Sequence, residues 1–270
     1  FHLGFLLGPR VNAGGRIGLS ELGTKLLATE DLAEAMEIAH RLDGFNSERK
    51  EVEGQVLAQA INALEIENAD RATAFVAGKD WHPGVIGIVA SRLKDRYNRP
   101  ACVLSIDGGR AVGSGRSVIG VDLGAAVIAA RQLGIIEKGG GHQMAAGFTV
   151  PVKNLIIFRD FLDERIGKHI SDAGILPTIK IDGALSAGGV SMSLIHELEK
   201  LEPYGSGNSE PRFIIPNARI ASADVAGIDH LRFSIDNVGG YQTRGIAFRC
   251  MGGPLGLALL NHGGKPFHLV

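Results

Sequence analysis

Aromatic residues are scarce, at 6% of 270 residues with a single tryptophan, so a broad base-stacking platform has few side chains to draw on. Cysteine is scarcer still. Cys102 and Cys250 stand far apart and neither has ligand-spaced neighbours. That excludes a disulfide framework and a cysteine-built zinc site, and it fits a reducing cytoplasm. No apolar run reaches the ~18 residues a membrane span requires. No charge of either sign dominates: 28 Lys and Arg face 29 Asp and Glu, for a net charge of −1. A chain that gripped a polyanion by bulk electrostatics would be basic, so any phosphate binding here has to be local. The sequence also lacks a serine-hydrolase elbow, a P-loop, a Cys/His nucleophile pair and any Asp/His cluster at metal-ligand spacing.

Glycine runs the other way. Its 38 residues are about twice the usual ~7%, and they gather in clusters rather than repeats. Such clusters mark sharp turns or places where backbone approaches a ligand closely. The length suits about two domains. The opening FHLGFLLGPR reads as the interior of a packed element, and Lys265 to Val270 reads as a strand without a closing turn. The expectation is a piece of a longer protein.

Three textures follow along the chain. A glycine-rich loop is expected from Gly8 to Arg16, followed by helix with Leu32, Met36, Ala39 and Leu42 at helical spacing. After a break at Asp43-Gly44, Val52, Val56, Ala60 and Leu64 continue the period. The polar stretch Asn46 to Glu53 suggests a connecting helix crossing solvent. From about residue 72 to 170 strand and helix alternate: strands at 72–77, 101–106 and 147–150, and helices at 84–97, 121–133 and 155–166. This predicts an α/β domain. Beyond about 175 the pattern is mostly β. Ile179 and Ile181 alternate with polar neighbours, Leu231, Phe233 and Ile235 do the same, and Gly239-Gly240 offers a hairpin turn. A helix carrying Leu194, Leu198 and Leu201 interrupts, and a small OB-fold barrel is the leading candidate.

Four constellations could hold an anion. Gly113-Ser114-Gly115-Arg116-Ser117 combines free backbone N–H groups, two hydroxyls and a guanidinium fork; a surface hairpin would have the same composition. Gly139-Gly140-Gly141-His142 could wrap a ligand and donate from imidazole, or be a flexible turn. Arg10, Asn12 and Arg16 in the first loop could clamp a phosphate, or simply precede a helix. Asp80-Trp81-His82-Pro83-Gly84 stands before a helix, where it could bind an anion, or where Asp80 or His82 caps and Trp81 packs beneath.

The motifs GPRVNAGGR, LDGFNSERKEVE, GKDWHPGVIGIVASRL, GSGRS, GGGHQMAAGFTV and LEPYGSGNSEPRF occur in this order between residues 8 and 213. The series resembles the rear half of the RecJ family, single-strand exonucleases of the DHH phosphoesterase superfamily. The resemblance implies an α/β DHH-associated domain at 71–172, preceded by the tail of a DHH domain at 1–30 and a connecting helix at 31–70. An OB-fold-like nucleic-acid-binding domain, incomplete at its end, would follow at 173–270. It implies a 5′→3′ single-stranded-DNA exonuclease of DNA repair and recombination, using Mn²⁺ or Mg²⁺ held by ligands outside these residues. Single-stranded DNA would be the partner, with other repair proteins beside it, and no membrane. Because no Asp-His-His motif occurs here, the chain alone is expected to be inactive. The residues carried over are those that would hold substrate phosphate: Arg10, Asn12, Arg16, Ser114, Arg116, Ser117, Gly140, Gly141 and His142, with His82 as a further member of the pattern. Phe213, Phe233, Tyr241 and Phe248 are candidate stacking residues. An oligonucleotide or dinucleotide phosphoesterase and a non-catalytic nucleic-acid-binding module remain as alternatives.

Overall fold

The computed structural model describes residues 2–67, 71–174, 178–205, 207–236, 242–251 and 253–270. The chain divides into two compact units, Phe1–Pro177 and Thr178–Val270.

The first unit opens on helices. A π-helical turn, His2–Leu7, leaves Leu3 and Phe5 exposed instead of packed. Gly8 to Arg16 is not a loop but most of helix α1 (Gly8–Ile17). Pro9 sits in its first turn, where a missing N–H costs nothing. Gly14 is buried so closely that a Cβ there would stand 3.0 Å from Leu42 Cδ2. That glycine serves helix packing, which overrides its weak helix propensity. Helix α2 (Glu21–Ala28) leads to α3 (Leu32–Glu67), whose 36 residues run ~54 Å. Gly44 does not break α3, since an isolated glycine costs only about 1 kcal/mol against Ala. Its buried stripe is Ile38, Leu42, Asn46, Glu53, Val56 and Ala60, whereas Leu32 and Met36 are exposed. The polar stretch Asn46 to Glu53 therefore does not cross solvent, because its two ends are buried.

An α/β layer follows. Strand β1 (Ala74–Lys79), helix α4 (Pro83–Tyr97), strands β2 (Ala101–Asp107) and β3 (Arg110–Arg116), helix α5 (Leu123–Gln132), strands β4 (Lys138–His142) and β5 (Ala145–Pro151), and helix α6 (Leu155–Ala173) build it. The sheet order is β1-β2-β3-β5-β4, parallel between β1 and β2 and antiparallel elsewhere. One face packs on α5 and α6 through Leu104, Leu123, Val127, Leu162 and a run of edge-on rings, Phe75–Phe158 at 5.9 Å and Phe148–Phe158 at 5.1 Å. On the other face Val76 and Val103 meet Val85, Val89 and Leu93 of α4 and Val56 and Ala60 of α3.

The second unit is mostly strand. Its sheet runs β10-β7-β8-β9, built from β7 (Phe213–Ala226), β8 (His230–Asp236), β9 (Gln242–Ala247) and β10 (Pro266–Leu269), and the short β6 (Gly183–Ala184) joins β7. A register shift between Ile220 and Ser222 marks an irregularity of the kind that bends a long strand. Ile220, Leu231, Cys250 and Leu259 form its core, with α8 (Pro254–Leu260) alongside. Ile179 and Ile181 are exposed and precede the strand rather than forming it. The interrupting helix is α7 (Met192–Glu199), and Leu201 lies beyond it, exposed. The Gly239-Gly240 turn falls outside the described residues.

Candidate functional site

The register across β3, β5 and β4 brings two of the glycine motifs together. Gly113 pairs with Phe148 and Phe148 with Gly139; Ser114 pairs with Gly147 and Gly147 with Gly140; Arg116 pairs with Ala145 and Ala145 with His142. Successive residues of a strand point to opposite faces, so the glycines divide into two kinds. On the core side a Cβ on Gly113 would overlap the Phe148 ring, one on Gly115 would stand 2.6 Å from Leu123 Cδ2, and one on Gly139 2.6 Å from Ile136 Cδ1. Those three make room for packing. On the other side Gly140 and Gly147 have no atom within 4 Å of where a side chain would begin. They form a bare backbone floor, with Gly147 one strand and Gly140 two strands over from Ser114 and Arg116.

Helix α4 walls this floor. A Cβ on Gly87 would lie 3.2 Å from both Ser114 Oγ and Arg116 Nη2, so only glycine lets the helix approach β3 this closely without a neighbour giving way. At the helix start a Cβ on Gly84 would overlap the Arg16 carbonyl, and Arg16 Nη1 donates to the Gly84 carbonyl at 3.2 Å. Arg16 thereby reaches the same corner from α1. Arg116 Nη1 donates to Ser114 Oγ at 3.0 Å and to the Gly115 carbonyl at 2.9 Å, both neutral acceptors. Burial, and after it the charge of Arg16, hold the Arg116 guanidinium below its usual range. Two like charges share a corner, and among the described residues neither is ion-paired to a carboxylate. An anion entering there would relieve their repulsion.

A DHHA1 domain model matches residues 55–168, and a RecJ OB domain model matches residues 181–262. The chain is 35% identical to the single-stranded-DNA-specific exonuclease RecJ of Bacillus subtilis, over 87% of this chain and 30% of that protein. Over both matched domains the chain is similar to the RecJ family. The RecJ of Escherichia coli is 33% identical over 91% of the chain and 44% of its own length. The crystal structure of Thermus thermophilus RecJ in complex with Mg²⁺ superposes with a TM-score of 0.75 at 28% identity, covering 92% of this chain and 37% of that one. The chain thus spans less than half the length of these relatives. The α/β layer is the family's DHHA1 domain and the strand-rich unit its RecJ OB domain.

Against this RecJ frame the predicted residues separate. Arg16, Ser114, Arg116 and Gly140 gather at the floor and its wall, and the exposed His142 stands in the Arg116 row. Asn12 is exposed and lies one helical turn from Arg16. Three others are engaged within the fold itself. Arg10 pairs with Asp43 at 2.8 Å and donates to the Leu6 carbonyl, so it braces α1 on α3. Ser117 is 1% exposed and its hydroxyl donates to the Val121 carbonyl at 2.7 Å, which shapes the loop beyond β3. Gly141 turns to the other face of β4 from Gly140, against Ala146. The GSGRS and GGGH motifs are strands, not loops, because Phe148 and neighbouring apolar groups fill the space their side chains would need.

His82 caps α4, its Nδ1 accepting from the Gly84 amide at 3.1 Å, and Trp81 packs beneath with Nε1 donating to Gln59 Oε1 at 2.7 Å. Of the stacking candidates, Phe213 and Phe233 are half-buried against Gly183 and Gly245, and Tyr241 falls outside the described residues. Phe248 is 68% exposed, edge-on to His230 at 5.4 Å. Sequence reasoning assigned no close-approach role to Gly84, which it placed in a helix-start motif, nor any site role to Gly87 and Gly147. The i, i+3 glycine pair in an otherwise apolar helix start was the available signal for the first two.

Proposed function

We propose that this chain is the strand-holding part of a RecJ-type exonuclease, and that the floor of Gly140 and Gly147 with Ser114, Arg116 and Arg16 engages the phosphodiester backbone of single-stranded DNA. The Arg16–Arg116 corner carries the reading: two guanidiniums without a carboxylate, beside backbone that no side chain shields. A guanidinium fork fits phosphate oxygens bidentately and the Ser114 hydroxyl adds a donor. Asn12 and His142 extend the donor set at its two ends. Nothing in this set reads base edges, so the grip is independent of sequence. The OB unit, with Phe248 exposed, offers a second surface for a long strand.

In this reading the full-length protein removes nucleotides from the 5′ end of single strands, in the cytoplasm, during repair and recombination. Its metal is Mn²⁺ or Mg²⁺. The residues here do not fit that metal: among those described no three His, Cys, Asp or Glu converge as ligands. Their work is holding and orienting. Among the described residues no helix is long and apolar enough to cross a membrane.

Arg116→Ala tests the proposal. It should weaken binding about equally for all single-stranded sequences and flatten the plot of log affinity against log salt by about 0.7, the contribution of one phosphate on a single strand. Unchanged affinity and slope would return the corner to a purely structural role.

A further inference from the structure

Two of the motifs, LDGFNSERKEVE and the end of GKDWHPGVIGIVASRL, take no direct part in this grip, yet the fold joins them. Glu53 lies in the middle of α3 and is 4% exposed. A carboxylate so placed is costly unless it is paired. One of its oxygens accepts from Arg49, a turn back on the same helix, and the other from Nε of Arg92 on α4. Arg49 Nη2 in turn donates to Oδ1 of Asn46 at 3.1 Å, and Asn46 is buried too. A line of polar groups thus interrupts an apolar seam that has Leu42 on one side and Val56 and Ala60 on the other.

We infer that Glu53 is a positioning residue that fixes α4 along α3 and so sets the gap between Arg16 and Arg116. The inference rests on the phosphate-holding reading of that gap. Apolar contacts tolerate sliding, whereas a buried carboxylate held between two guanidiniums accepts one register. Helix α3 is the common base of α1 and α4, the two helices that meet at this gap. Helix α1, which bears Arg16, is seated on it by Gly14 against Leu42 and by the Arg10–Asp43 pair. Helix α4 is seated on it by Arg92 on Glu53. Eight residues before Arg92, ~12 Å along the helix, Gly84 abuts Arg16. Gly87, between them, comes within 3.2 Å of Arg116 when given a Cβ. These contacts have no slack, so a slip of α4 on α3 becomes a change at the corner. The other α3–α4 ion pair, Arg96–Glu65 at 3.5 Å, is more than half exposed and holds register weakly.

The experiment is a double-mutant cycle on the whole protein, reading affinity and salt dependence for a fluorescent oligothymidylate alongside thermal unfolding. Glu53→Gln keeps size and removes charge. It should weaken binding at least tenfold in the wild-type background and add nothing in an Arg116→Ala background. Equal losses in both backgrounds would mean that Glu53 supports the fold alone, and would overturn the inference. Arg92→Lys, at a half-exposed site, is the milder second variant; it should give the same non-additivity even if Glu53→Gln does not fold. Nitroxide labels at Gly15→Cys on α1 and Lys138→Cys on β4 supply a readout independent of DNA. Their distance distribution should shift or broaden when Glu53 or Arg92 is changed, and an unchanged distribution refutes the positioning role. If the distribution moves while Arg116→Ala leaves binding intact, the phosphate reading fails and the positioning role stands.

Discussion

Replacing Gly113 and Gly140 in parallel separates the two kinds of glycine in this sheet. They lie on neighbouring rows of one three-strand register but face opposite ways. A methyl on Gly113 collides with the Phe148 ring and comes within 2.9 Å of Leu104 Cγ, both in the densely packed layer under α5 and α6. Overpacking of this kind costs about 1–3 kcal/mol. In a unit of this size each kcal/mol moves the midpoint by ~2–4 °C, so Gly113→Ala should lower it by about 2–12 °C. The corner on the opposite face keeps its shape, so affinity per folded molecule should not change. A Cβ on Gly140 meets no atom within 4 Å, so Gly140→Val should move stability by less than about 0.5 kcal/mol. Its side chain instead rises from the floor and holds a phosphate away from Ser114 and Arg116. Losing one charge-assisted hydrogen bond costs about 1.5–3 kcal/mol, or about ten- to a hundredfold in affinity. Differential scanning calorimetry and fluorescence anisotropy on both variants decide the matter. Wild-type binding by Gly140→Val, or a binding loss by Gly113→Ala at unchanged midpoint, would refute the division of the sheet into a packed face and a grip.

Removing residues 178–270 from the full-length enzyme should impair turnover of long single strands far more than of dinucleotides, because each stacked base lost costs ~1–3 kcal/mol. A length series of oligomers with equal loss at every length would show that the OB unit only stabilises the fold. Burial pushes the Cys102 thiol up to about 12 from its ordinary 9.0, so at pH 8 it should resist Ellman's reagent until the protein is unfolded. The unfolded thiol ionises first, so stability should fall as pH climbs from about 9 towards 12, and Cys102→Ala should flatten that fall.

Much of the α/β layer could be read from periodicity. Val85, Val89 and Leu93 announce α4, and the apolar runs at Ala74 and Ala101 announce two paired strands. The motifs also showed which residue types to watch. Their conformation was hidden for one physical reason: glycine's local preference signals a turn, whereas here Gly14, Gly113 and Gly139 are small so that something else can be large or near. That something is Leu42, Phe148 or Ile136, up to 35 residues away in sequence, and no local pattern reports it. The same limit concealed the roles of Arg10 and Ser117, whose partners Asp43 and Val121 become visible only in three dimensions. Asn46 and Glu53 looked solvated because polar residues on a helix usually are; Asn46 is met by Arg49 of the same helix, and Glu53 also by Arg92, which arrives from α4.

If phosphates rest on the floor of Gly140 and Gly147 as proposed, a consequence for movement follows. A surface of main chain and guanidinium presents the same landscape to every nucleotide, since each repeat offers an identical phosphate. Advancing the strand by one residue would exchange one set of contacts for its equivalent, so the strand would meet neither a preferred stopping point nor a sequence on which it stalls. Side chains reaching from that floor into the bases would roughen the track. The bare backbone would keep it even.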